Sequence, residues 1–175
     1  MFSDPAKNIE KFSLSQGMFV ADFGAGSGFY TMSAAKAVGG KGRVYAIDIQ
    51  KELIQKIKNQ ANTEHLSNIE IIWGDVEKPG GTKLKDDSMD AVILSNILFQ
   101  TEDRNQLVKE TKRILKVDGK VLLVDWSDSF NSMGPIDDHV VKEHKAKELF
   151  EKFGFVFKQN IEAGSHHYGM IFSKE

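Results

Sequence analysis

The sequence predicts an α/β protein built on a doubly wound, mostly parallel sheet of seven strands, and three observations predict it. Short apolar runs suited to buried strands alternate with segments of helical period almost to the end of the chain. The first run passes into a helix through a turn with glycines at positions 24, 26 and 28. The last two runs follow one another with no helix between them, which reads as a terminal hairpin.

Each element has its own reason. Asp4-Pro5 suits a helix start, aspartate as N-cap and proline in the first turn, and opens an N-terminal helical segment over residues 1–16. Met18–Phe23 is short, apolar and aromatic, and is expected to be the first strand. The alanine-rich stretch Phe29–Val38 follows as a helix ending at Gly39-Gly40. Arg43–Ile49 is the second strand, and Leu53, Ile54, Ile57 and Ala61 mark the apolar face of a helix beginning near Lys51. Ile69–Trp73 and Ala91–Asn96 are the third and fourth strands. Asp103 with Gln106 forms a capping-box start for a helix whose inner face carries Leu107, Val108, Thr111, Ile114 and Leu115. Val121–Trp126 is the fifth strand, followed by a polar stretch over 127–139 that is expected to act as a loop or lid at the active edge. Ala146, Leu149, Phe150 and Phe153 mark a last helix stopping at Gly154. Phe155–Ala163 and Tyr168–Ser173 complete the sheet around the turn Gly164-Ser165-His166-His167.

At 175 residues, one domain spanning 1–175 is expected. The net charge of −2 gives no electrostatic case for nucleic acid or an anionic membrane, and no apolar segment is long enough to span a bilayer. A soluble cytoplasmic protein is the resulting expectation; the oligomeric state is left open. The absence of cysteine excludes disulfides, thiolate metal sites and a cysteine nucleophile. No metal site is expected either. His139 and His144 lie roughly 140° apart around a helix, and the acids of Asp137-Asp138-His139 suit a helix N-terminus.

The glycine turn carries the functional signal. A dinucleotide fingerprint counted from Gly24 or Gly26 would need its third glycine at Phe29 or Thr31, so both registers fail. What stands is Asp22-Phe-Gly24-Ala25-Gly26-Ser-Gly28, which resembles motif I of the class I S-adenosylmethionine-dependent methyltransferases. The terminal hairpin also resembles that family, and together the likenesses cover nearly the whole chain. The resemblance implies a Rossmann-like methyltransferase fold with strand order 3-2-1-4-5-7-6, strand seven antiparallel. It implies S-adenosylmethionine as cofactor, with the glycine loop under its methionyl part and Asp22 near its ammonium.

In such a sheet, ligands collect beyond the carboxyl ends of the strands where strand order reverses. Asp48 ends the second strand in VYAIDIQ, and a carboxylate there can accept from both ribose hydroxyls; it can also cap the next helix. Ile49 beside it belongs to the same site. Gly74-Asp75-Val76 resembles the family position where an acid meets the adenine amino group, with Val76 against the ring. Ser95-Asn96-Ile97 resembles motif IV, where cofactor and acceptor meet, but lacks the prolines of enzymes that methylate nucleobase or glutamine nitrogens. The missing cysteine removes methylation at cytosine carbon 5 and disfavours the cysteine-dependent arsenic methyltransferases. Asn96 and Trp126 are expected to shape the acceptor site, and His167 or His166 to serve as base where the acceptor carries a proton. The reading is methyl transfer to an acceptor, a small molecule before a macromolecule. Its rivals are a cofactor-binding module without transferase activity and a nicotinamide oxidoreductase.

Overall fold

A computed structural model describes residues 3–130 and 134–175. The sheet has seven strands in the order β3-β2-β1-β4-β5-β7-β6, as the family resemblance implies. They are β1 (Phe19–Phe23), β2 (Arg43–Asp48), β3 (Ile69–Trp73), β4 (Met89–Ser95), β5 (Leu115–Trp126), β6 (Phe155–Ile161) and β7 (His167–Lys174). The pairs β1/β2, β1/β4, β2/β3 and β4/β5 are parallel, and β7 runs antiparallel to both β5 and β6. Strand order therefore reverses between β1 and β4.

Among the described residues five α-helices cover the faces: α1 (Pro5–Phe12), α2 (Phe29–Val38), α3 (Lys51–Thr63), α4 (Arg104–Ile114) and α5 (Glu143–Lys152). Side chains alternate across each strand, so each face builds its own core. Ala21, Phe23, Val92, Leu94, Val121 and Leu123 pack with α4 and α5 through Leu107, Val108, Ala146 and Phe150. Val20, Ile93, Leu122 and Val124 face α1 and α2 through Ile9, Phe12, Tyr30 and Ala34. Among the described residues no helix is long and apolar enough to cross a membrane.

The caps follow the sequence. Asp4 accepts from the Lys7 amide and Asp103 from the Gln106 amide. The capping box of α4 is only half made, because the Asp103 amide donates to Glu77 Oε2 instead of to Gln106. Strand boundaries shift at several ends. Asn96 turns left-handed with φ 52°, so β4 ends at Ser95; β2 ends at Asp48, β6 at Ile161, and β7 opens at His167. Leu115, expected on a helix face, is instead the first residue of β5. It pairs with Met89, and the register then jumps to Ala91–Lys120 across a kink that includes Asp118 at φ 62°. Of the expected 127–139 loop, residues 131–133 lie outside the described residues, as do 1 and 2 of the N-terminal segment. Asp137–His139 forms a short 3-10 turn, and His144 lies in α5.

The connection from β3 to β4 is held by one buried charge. Glu110 of α4 is 1% exposed and accepts from Arg113 Nε and Nη2, the Thr82 hydroxyl, and the Gly80 and Thr82 amides. Burial alone would raise its pKa, but these donors outweigh it and hold the carboxyl at about 2, below its ordinary 4.5. This stabilisation is complete above pH 4.5 and drains away as pH falls towards 2. Glu110→Gln is expected to cost about 1.5–3 kcal/mol at pH 7. Urea unfolding at pH 7 and pH 3 checks this: the gap between wild type and variant should narrow at the lower pH.

Candidate functional site

The chain makes its turn after β1 by spending three glycines at φ 63°, 54° and 79°, a region closed to most side chains. They do different work. A Cβ on Gly24 would meet Ile97 Cδ1 at 2.8 Å, so Gly24 lets the segment after β4 close down on the loop. A Cβ on Gly26 would meet only the Gly24 carbonyl, at 3.7 Å, so that backbone faces open space. Gly28 caps α2, and a Cβ there would meet Ile57 Cγ1 at 2.9 Å. Gly28 lines neither cavity described below; its missing side chain admits α3.

The loop is clamped from β2. Asp48 Oδ2 accepts the Gly26 amide at 2.9 Å and Oδ1 the Gln50 amide at 2.9 Å, while the Ala25 amide donates to the Ile47 carbonyl and the Gly28 amide to the Ala25 carbonyl. Three loop amides are thus committed within the protein, which qualifies the idea that the loop simply offers free amides to an anion. Of the two roles considered for Asp48, the Gln50 bond bears on the second, since it shapes the entry to α3.

Two cavities flank the clamped loop and share Gly24, Gly26 and Gln100 as walls. The first, about 260 Å³, lies over β2 and β3 and is lined by Asp48, Ile49, Leu53, Asp75, Val76 and Ile97. Asp75 receives the Glu77 amide on Oδ1 and pairs with Lys78 at 3.1 Å on Oδ2. The second, about 530 Å³, lies between the loop and the N-terminal segment and is lined by Asp22, Ala25, Ser27, Phe29, Tyr30, Ser95 and Asn96, with Ser3 and Pro5 opposite. Asn96 Oδ1 is buried there with no hydrogen-bond partner among the described residues. The charged residues lining the two cavities are Asp22, Asp48, Asp75 and Glu77, and no described lining residue is Lys, Arg or His.

Asp22 is 1% exposed and accepts from Thr31 Oγ1 at 2.6 Å. Burial raises its pKa from 3.8 to about 7; the Thr31 bonds oppose that rise and the nearby Asp48 charge adds to it. A cation in the second cavity would favour the ionised form. Tyr30, which the sequence pattern did not single out, reaches the same cavity. Its hydroxyl bonds Ser3 Oγ at 2.9 Å and receives Asn8 Nδ2 at 2.8 Å, and the same Asn8 nitrogen reaches the Ala163 carbonyl. An isolated bridge between Ser3 and Gly164 fastens the N-terminal segment to the β6–β7 turn.

The histidines reach the expected edge beside Trp126 but stand off both cavities. Trp126 and His167 face each other across β5 and β7 with ring centroids 4.3 Å apart, so the cluster forms at the carboxyl edge. Neither histidine nor Trp126 lines either cavity. His166 Nδ1 lies 2.6 Å from Asp128 Oδ1 and its ring packs on Phe130. His167 Nδ1 bonds the Ser165 carbonyl, and burial lowers its pKa, so the ring is neutral at pH 7. Asn96 and Tyr30 are instead among the polar residues that line the second cavity. For Tyr30, a tyrosine two residues after the last glycine of the turn was the available signal.

Comparison with known proteins places this geometry among methyltransferases. A family model described as a methyltransferase domain matches residues 14–172. The chain is 27% identical to a demethylmenaquinone methyltransferase of Lactobacillus johnsonii, covering 94% of this chain and 80% of that protein. It is 27% identical to an arsenite methyltransferase of Halobacterium salinarum, over 65% of this chain but 28% of that protein's length. The crystal structure of a SAM-dependent methyltransferase from Aquifex aeolicus superposes with a TM-score of 0.89 at 28% identity, covering 99% of this chain and 91% of that one.

The buried Asp22 sets a pH signature. With its folded pKa above 3.8, the native state holds the proton longer than the unfolded chain, so stability falls as pH rises from 3.8 towards 7 and then levels. Asp22→Asn should remove this slope, a difference on the order of 4 kcal/mol between pH 4 and pH 8. Denaturant titrations of both proteins across that range measure it.

Proposed function

The chain belongs to the methyltransferase-domain family, and from that premise we propose that it transfers a methyl group from S-adenosylmethionine to an uncharged small molecule bound in the second cavity. One observation carries the reading: two cavities meet over a glycine loop clamped by Asp48, one walled by strand-end acids and the other by Asn96, Tyr30 and Asp22.

The residues present fit this cofactor. A carboxylate has about four lone-pair positions, so Asp48 keeps acceptor capacity for ribose hydroxyls after receiving the Gly26 and Gln50 amides. Asp75 stands at the far wall to accept from an amino group, with Ile49 and Val76 supplying apolar surface for a base. Asp22 and the unpartnered Oδ1 of Asn96 provide negative charge and an acceptor for an ammonium or sulfonium. When bound, S-adenosylmethionine supplies a methyl group on a sulfonium leaving group. The protein's share of catalysis is then orientation, which can contribute roughly 7–11 kcal/mol. Asn96 and Tyr30 are the groups that would hold the acceptor, Tyr30 fixed by Asn8 and Ser3. His166 and His167 are not assigned as the base, because neither lines the cavity.

The acceptor class follows from the walls and the relatives. With acids and no described cation lining either cavity, an anionic acceptor has no counter-charge, which disfavours phosphodiesters and carboxylates. The named substrate of the Lactobacillus relative, demethylmenaquinone, points to a small molecule. The arsenite relative is the poorer guide, since this chain has no cysteine to offer arsenic.

S-adenosylmethionine and S-adenosylhomocysteine should each raise the melting temperature, and NADH should leave it unchanged; the reverse pattern overturns the reading. In calorimetry, Asp75→Ala is expected to weaken S-adenosylhomocysteine about tenfold at nearly unchanged stability. Asp48→Asn should weaken both binding and stability, because Asp48 also anchors the Gly26 amide.

A further inference from the structure

Asp125, the penultimate residue of β5, is completely buried and lines neither cavity. Its Oδ2 accepts two successive amides of the segment after β4, Ile97 at 3.1 Å and Leu98 at 2.8 Å, and its Oδ1 accepts the Trp126 amide at 2.8 Å. That segment has just turned through left-handed Asn96, whose amide is held by the Val124 carbonyl. From the other side, Arg104 Nε donates to the Leu98 carbonyl at 2.7 Å. The turn is thus gripped at its amides by an acid and at its carbonyl by a base.

What the grip positions is the cofactor site. Ile97 lies so close over Gly24 that a Cβ there would clash with it, and it lines the first cavity; Asn96 lines the second. Tyr168 stands opposite Asp125 on β7, and its buried hydroxyl has no hydrogen-bond partner. Tyr168 thus takes none of the carboxylate's acceptor capacity, and Oδ2 is given over to the turn. A buried acid in an apolar core is costly unless satisfied, and here the satisfaction comes from backbone amides whose placement sets two cavity walls.

We propose that Asp125 is a positioning residue for the methyltransferase site: by holding the Ile97 and Leu98 amides it fixes Asn96 and Ile97 against the glycine loop and so sets cofactor affinity from outside the pocket. The inference rests on the cofactor reading given above.

The test uses S-adenosylhomocysteine as probe, by calorimetry, with amide hydrogen exchange as a second readout. Asp125→Ala is expected to weaken binding by tenfold or more. Asp125→Asn, which keeps one acceptor oxygen but turns a donor towards the Trp126 amide, should fall between it and wild type. Exchange should quicken at Ile97 and Leu98 while the amides of β1 and β2 stay protected. Phe172→Leu, which loosens the same core from β7, is the control for simple destabilisation and should bind as wild type does. Variant binding within twofold of wild type overturns the proposal even where exchange at the turn has quickened. So does an equal affinity loss in Phe172→Leu. If Asp125→Ala does not fold, the Asn variant decides. If wild type itself binds no S-adenosylhomocysteine, it is the cofactor reading that has failed.

Discussion

The carboxylate of Asp48 is the contact on which the rest of the site depends. It stands at the end of β2, takes the Gly26 amide on one oxygen and the Gln50 amide on the other, and so couples the glycine loop to the start of α3. A loop of three glycines has more conformational freedom to lose than any other stretch of its length. Without a fixed acceptor it would sample many shapes, and neither cavity would have a defined wall. The same oxygen atoms keep lone pairs free after both amides are received, so the anchor of the loop also faces the first cavity as an acceptor.

Buried acids divide here according to whether their donors are complete. Glu110 has a full set, stays ionised far below its ordinary range, and serves the β3–β4 connection. Asp22 has the Thr31 hydroxyl as its side-chain donor and a second acid nearby, and its pKa rises towards neutrality. Asp125 is intermediate: burial raises it to about 6, opposed by three backbone amides and by Arg104. Of these three, the under-satisfied acid is the one that lines a cavity, where a bound cation can supply what the protein withholds.

Much of this was legible in the chain because the signals were local. Glycines at alternate positions after an apolar run, and acids at the ends of Phe19–Phe23, Arg43–Asp48 and just past Ile69–Trp73, need only strand periodicity and parallel connection to converge on one edge. What depended on three-dimensional register was hidden. Leu115 keeps the helical spacing of α4 yet belongs to β5, because pairing with Met89 overrides local pattern. Tyr30 and Asn8 are far apart in sequence, and nothing in either segment announces their bond. That His167 stands beside Trp126 follows from pairing β7 with β5 and was legible, but that the pair lies away from both cavity linings was not.

The knot of Asn8, Ser3 and Tyr30 on Ala163 and Gly164 carries a consequence for the order in which the molecule is made. Every residue lining either cavity lies at or before Thr101, whereas the wall opposite Phe29 is braced by Ala163 and Gly164. A ribosome delivers that brace some sixty residues after the last of the lining residues. The second cavity therefore has its lining in the emerging polypeptide well before the N-terminal segment can be fastened over it.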